Sequence, residues 1–93
     1  MEGAYRIVLA DDHAAIRQSV RIILRREGDL SVVGKAGDGL ELLDRLAKIT
    51  PDLVILDVSM PRLGGIECIP RIKAIQPDTK VLVLTIHRER AYL

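Results

Sequence analysis

Ninety-three residues suffice for one small domain and leave no room for a second module. Lysine and arginine number 14 against 13 acidic residues, a formal net charge of +1 that carries no electrostatic footprint for nucleic acid or an anionic membrane surface. One cysteine excludes an intrachain disulfide, the N-terminus lacks a signal-peptide pattern, and no stretch approaches the roughly 20 apolar residues of a membrane span, so a cytoplasmic location and no membrane partner are expected.

With no Phe or Trp and only two Tyr, the core has to be built from Ile, Leu, Val and Ala. Residues 5–10, ending in Ile7-Val8-Leu9-Ala10, read as a strand, and Asp11-Asp12-His13 as the loop leaving it. A helix over 14–27 follows. Ile16, Val20, Ile23 and Leu24 recur at helical spacing, Arg17, Arg21 and Arg25 share another, solvated face, and Gly28 provides the stop. Residues 30–34 form a short second strand. The stretch from Gly34 to Gly39 reads as a turn, because its glycines do not have the spacing of a phosphate loop. Asp38 is placed to cap a helix over about 39–49, with Glu41 completing a capping-box-like arrangement; that helix runs through Leu40, Leu43 and Ala47 and ends before Pro51.

The centre of the chain is Leu53-Val54-Ile55-Leu56-Asp57, an unbroken apolar run that fits a strand over 53–57 buried on both faces of a parallel sheet. After the loop from Val58 to Gly65, a third helix is expected over 66–75. Ile66, Ile69 and Ile72 would be its buried stripe, with Cys68 one position off it and semi-buried. Pro70 demands that this helix start late or kink in its first turn. Pro77-Asp78 then turns the chain into a fourth strand over 80–85, and residues 88–93 would begin a fourth helix. Strands alternating with helices long enough for crossovers predict an α/β, doubly wound parallel sheet.

Two apolar strands thus end in acids. If the strands are neighbours, Asp11, Asp12 and Asp57 meet at the C-terminal rim, where open α/β sheets place their chemistry. Like charges held this closely repel unless a cation neutralises them, which points to a divalent-metal site beside a nucleophilic aspartate. The plainer readings are a solvated strand-end acid for Asp57 and helix capping by Asp11 or Asp12. His13 and His87 are each isolated from other nitrogen or sulfur ligands and read as partly exposed loop residues.

Together, the Asp11-Asp12 pair, Asp57 with Met60-Pro61 and Gly64-Gly65 behind it, and Thr85 after the fourth strand resemble the receiver domain of two-component response regulators over the whole chain. The wording Asp11-Asp12-His13 and Asp57-Val58-Ser59-Met60-Pro61 is most similar to the NarL/FixJ branch, whose members carry a C-terminal LuxR-type helix-turn-helix. The resemblance implies a flavodoxin-like, CheY-like fold with strand order 2-1-3-4. It implies that Asp57 accepts a phosphoryl group from a sensor histidine kinase, that Asp11, Asp12, Asp57 and the Val58 backbone carbonyl hold Mg²⁺, and that Thr85 is the switch hydroxyl. It also places the first helix where a kinase docks, giving Arg17 or Arg21 a docking role, and leaves DNA to a helix-turn-helix outside these residues.

A receiver ordinarily continues to a fifth strand ending in a lysine, then a fifth helix. Neither is within these residues and Lys80 cannot substitute, so the chain reads as a receiver truncated before its fifth strand. Self-association through an exposed sheet edge at 81–84 or through the fourth-helix region is the corresponding expectation. Such a phosphoacceptor assists its own phosphorylation and is not a turnover enzyme. One rival is a degenerate receiver acting as a dimerisation module, which Mg²⁺ binding would discriminate. Another is a phosphohydrolase on a similar sheet, which would want a general acid where Ser59 stands.

Overall fold

The computed structural model describes residues 5–58, 60 and 63–84, apart from the side chains of Ala14 and Ile16. Thr85, His87 and the helix start at 88–93, together with Ser59, Pro61 and the Ile16 side chain, lie outside the described residues. Strand β1 (Tyr5–Ala10) leads to helix α1 (Ala14–Arg25), β2 (Leu30–Ala36), α2 (Gly39–Leu46), β3 (Leu53–Asp57), α3 (Gly65–Ile75) and β4 (Lys80–Leu84). The strands pair in parallel in the order β2-β1-β3-β4, the flavodoxin-like order anticipated above. No helix among the described residues is long and apolar enough to cross a membrane.

Successive strand residues point to opposite sides, and the central strands β1 and β3 are buried on both. Ile7, Leu9 and Ile55 face one way and are covered by Val20 and Leu24 of α1. Val8, Ala10, Val54 and Leu56 face the other way, against Leu42 and Leu46 of α2 and Cys68 and Ile72 of α3. Each of these large aliphatic side chains contributes about 1.5–3 kcal/mol by leaving water. Asp52 ties three strands at their N-terminal ends: its carboxylate accepts the Arg6 amide at 2.8 Å, its amide donates to the Arg6 carbonyl, and its carbonyl accepts the Lys80 amide.

Several element boundaries and faces depart from the sequence expectation. β2 runs to Ala36, so Gly34 to Ala36 are strand and only Gly37 and Asp38 turn. Leu9 pairs with Lys35 and Ala10 with Ala36 after a register shift beyond Ile7, and that pairing extends the strand. α1 ends at Arg25, and Gly28 follows at φ 72°, a conformation that favours glycine. Ile23 is 60% exposed, because among the described side chains of α1 it is Val20 and Leu24 that pack on the sheet. α2 stops at Leu46 and buries Gly39, Leu42 and Leu46, while Leu40 and Ala47 are exposed.

α3 begins at Gly65 and buries Gly65, Cys68 and Ile72; Ile66 is turned outward and Ile69 is partly buried. Cys68 is therefore fully buried, and Pro70 lies inside the helix, which starts earlier than expected. Pro70 is exposed, as is Ile66, whose carbonyl it cannot serve as a donor. Water can satisfy that carbonyl at the surface.

Candidate functional site

The C-terminal ends of β1 and β3 are adjacent, since Ala10 pairs with Leu56. The residue after each is an aspartate: Asp11 is 1% exposed and Asp57 2% exposed. The Asp11 amide donates to the Ala36 carbonyl at 2.9 Å, holding its backbone against β2, while Asp57 pairs with Leu84 of β4. One ligand atom from each of Asp11, Asp12, His13 and Asp57 falls within 4.8 Å of the others. The carboxylate cluster expected from the sequence is therefore assembled, with Asp12 as its exposed member.

His13 is a partly exposed loop residue, as its spacing suggested, and it also belongs to this cluster, among carboxylates rather than nitrogen or sulfur ligands. Its Nδ1 lies 2.9 Å from Asp12 Oδ1, 3.0 Å from Asp11 Oδ1 and 3.8 Å from Asp57 Oδ2. The signal was present in its adjacency to two acids, although a search for nitrogen and sulfur partners passes over it. His13 is also the N-cap of α1, without a side-chain capping bond. Asp11 and Asp12 therefore do not cap the helix; instead Asp11 Oδ1 accepts the His13 amide at 2.7 Å. Arg17, expected to be solvated, donates from its guanidinium to the Asp11 carbonyl at 2.6 Å and so fixes the loop from the first turn of the helix.

Behind Asp57, the Val58 amide donates to the Leu84 carbonyl at 3.3 Å, and the Val58 carbonyl accepts the Gly65 amide at 3.2 Å. Of the expected metal ligands, this carbonyl is the weaker one, because one of its two lone pairs is already engaged. On the far side of the rim, Asp38 Oδ1 accepts the Glu41 amide at 2.8 Å, as a helix cap should. The reciprocal bond runs from the Gly37 amide to Glu41 Oε1, one residue before the position a capping box would use. Burial pushes the nearby Cys68 thiol above its ordinary pKa, leaving it a poor nucleophile at neutral pH.

The donor set suits a small hard cation. Asp11 Oδ2 is buried with no hydrogen-bond partner among the described residues, a costly arrangement unless a ligand supplies the missing contact. Carboxylate oxygens clustered within a few ångströms are what oxygen-seeking divalent ions take. The same rim leaves Asp57 as a carboxylate held by its strand, chemically able to act as a nucleophile.

The response regulator receiver domain profile matches residues 7–93. The Bacillus subtilis transcriptional regulatory protein YhcZ is 42% identical over 90 residues, which are 95% of this chain and 41% of that protein. The oxygen regulatory protein NreC of Staphylococcus epidermidis is 40% identical over 89 residues, again 95% of this chain and 41% of the relative. Among solved structures, the receiver domain of the response regulator NarL from Mycobacterium tuberculosis superimposes with a TM-score of 0.82 at 31% identity, covering 95% of this chain and 71% of that one. The chain thus spans about two fifths of the length of the curated relatives it matches.

Proposed function

The chain belongs to the response regulator receiver domain family, and from that premise we propose that Asp57 is its phosphoacceptor, taking a phosphoryl group from the phosphohistidine of a sensor histidine kinase. The observation that carries this reading is the pair of buried carboxylates, Asp57 at the end of β3 and Asp11 at the end of β1, converging with Asp12 within 4.8 Å. In the reaction an Asp57 carboxylate oxygen attacks phosphorus. The bond from phosphorus to the donor imidazole breaks with its electron pair passing to nitrogen, and an acyl phosphate remains on Asp57.

Asp11, Asp12 and Asp57 would hold Mg²⁺, with the second lone pair of the Val58 carbonyl as a further contact. When bound, the ion neutralises the carboxylate cluster against the incoming phosphoryl oxygens. Asp11 is the residue best supported for this role, since its Oδ2 has no hydrogen-bond partner among the described residues. Arg17 and the β2 pairing keep Asp11 in place, so little rearrangement is required of the chain. Thr85 is our candidate switch hydroxyl; it follows Leu84, which pairs with Asp57. The chain assists its own modification without turning over.

The names of the relatives, transcriptional and oxygen regulatory proteins, support control of an attached DNA-binding domain as the output and a cytoplasmic location. Arg17, Arg21 and Lys35 line a shallow basic groove beside α1 that suits kinase docking. Reversing the charge of Arg21, which is free of the Asp11 contact made by Arg17, should slow transfer from the kinase. Self-association through β4 draws support from Leu82, half exposed on the outermost strand among the described residues. Cross-links mapping to residues 81–84 would support it, and a compact monomer at high concentration would count against it.

The deciding experiment is intact-protein mass after incubation with Mg²⁺ and acetyl phosphate. One phosphate adduct that disappears in Asp57→Asn is expected. No adduct while Mg²⁺ still binds would mean that the acid pocket holds the ion but the transfer is not completed, whereas loss of both adduct and Mg²⁺ binding would favour a degenerate receiver.

A further inference from the structure

We infer that His13 is a fourth protein ligand of the carboxylate site, which therefore takes imidazole-accepting divalent transition-metal ions in addition to, and more tightly than, Mg²⁺. The inference rests on the cation site of the proposed function and extends it to the choice of ion.

Three observations carry it. His13 Nδ1 is directed into the cluster, 2.9 and 3.0 Å from oxygens of Asp12 and Asp11 and 3.8 Å from Asp57. In a six-coordinate ion with bonds of about 2.1 Å, neighbouring ligand atoms stand about 3.0 Å apart and opposite ones about 4.2 Å. The distances from Nδ1 fall within that range, and all four ligand atoms lie within 4.8 Å. Asp11 Oδ2, buried and without a hydrogen-bond partner among the described residues, supplies an independent sign that the pocket wants a cation.

The chemistry of the set then decides which ion. Three carboxylates alone suit Mg²⁺, whereas an imidazole among them favours Ni²⁺, Co²⁺ or Zn²⁺, for which nitrogen is a good ligand and Mg²⁺ gains little. Coordination through Nδ1 places the ring proton on Nε2 of a side chain that is 33% exposed. The His13 main chain is held independently of its ring, by the bond from its amide to Asp11 Oδ1. Replacing the ring therefore leaves the loop anchored.

The test is calorimetric titration of the untagged chain and of His13→Asn with MgCl₂ and with NiCl₂, with equal thermal midpoints of the two metal-free proteins confirming the fold. Tighter Ni²⁺ than Mg²⁺ binding is expected in the native chain. His13→Asn should weaken Ni²⁺ by at least about tenfold, the scale on which even outer-shell partners alter metal affinity, and leave Mg²⁺ unchanged. The Ni²⁺ form should also show a hyperfine-shifted, exchangeable imidazole N–H proton resonance that the variant lacks. Equal effects on both ions, or none, would overturn the assignment. So would tighter Mg²⁺ binding in the variant, which would make the ring an obstacle that the ion displaces. If the native chain binds neither ion, the cation site itself fails along with this inference; if Mg²⁺ binds and Asp57 is phosphorylated while Ni²⁺ ignores His13, only this inference falls.

Discussion

Gly65 lies directly against the backbone of Asp57: a Cβ built on it would overlap the Asp57 carbonyl oxygen and come within 2.8 Å of Val58 Cα. The first residue of α3 is thus packed onto the end of β3, and its amide holds the Val58 carbonyl. Gly65→Ala should push helix and strand apart, costing about 1–3 kcal/mol by overpacking. It should also lower the rate of phosphate adduct formation, because the strain acts at the acceptor. Urea denaturation and the intact-mass assay measure the two effects; an alanine variant with native stability would contradict the close packing.

Asp11→Asn should stabilise the protein when divalent ions are chelated, on the order of 1–3 kcal/mol, because it removes one buried charge and puts in place of the unpartnered oxygen an amide NH₂ that can donate to the neighbouring carboxylates. It should at the same time abolish stabilisation by added Mg²⁺. In the native chain that stabilisation approaches about 2.7 kcal/mol at a hundredfold excess over Kd. Urea midpoints with chelator and with Mg²⁺, for both proteins, check the pair of opposite signs.

Asp38→Ala should cost about 1 kcal/mol by leaving the Glu41 amide without its cap. The turn at Gly37 and Asp38 should loosen with it, so amide exchange at Glu41 and along the first turn of α2 should quicken. Exchange that stays as slow as in the native protein would remove the cap from the account.

The raised Cys68 pKa has a defined consequence for alkaline stability. Below the unfolded thiol pKa of about 8.5 both states hold the proton and the contribution is complete. As pH rises above that value the unfolded chain ionises first, so stability falls until the folded thiol also titrates. Cys68→Ala should lose this part of the alkaline slope while the remainder persists, and the native thiol should resist modification by thiol reagents at neutral pH.

The alternation of apolar strands with amphipathic helices was legible in the chain because each signal is local. Four strand residues without a polar break mark β3, Asp38 and Glu41 mark the start of α2, and strand-end acids announce themselves at Asp11 and Asp57. Parallel pairing follows from the crossover lengths, but the order that sets β1 beside β3 was implied only by the resemblance to receiver domains, and it is the pairing of Ala10 with Leu56 that brings the carboxylates together. Which helix face is buried did not follow. Ile66 and Cys68, two residues apart, point to nearly opposite sides of α3, and the pressing of Gly65 onto Asp57 sets the Gly65–Cys68–Ile72 face inward and Ile66 out. Ile23 is apolar and in phase, but it is Val20 and Leu24 that pack on the sheet while Ile23 is turned to solvent. His13 and Arg17 came to the site for the same reason. A side chain's neighbours across the rim depend on how the loop leaves β1 and enters α1, a matter of three-dimensional placement that spacing along the chain does not encode.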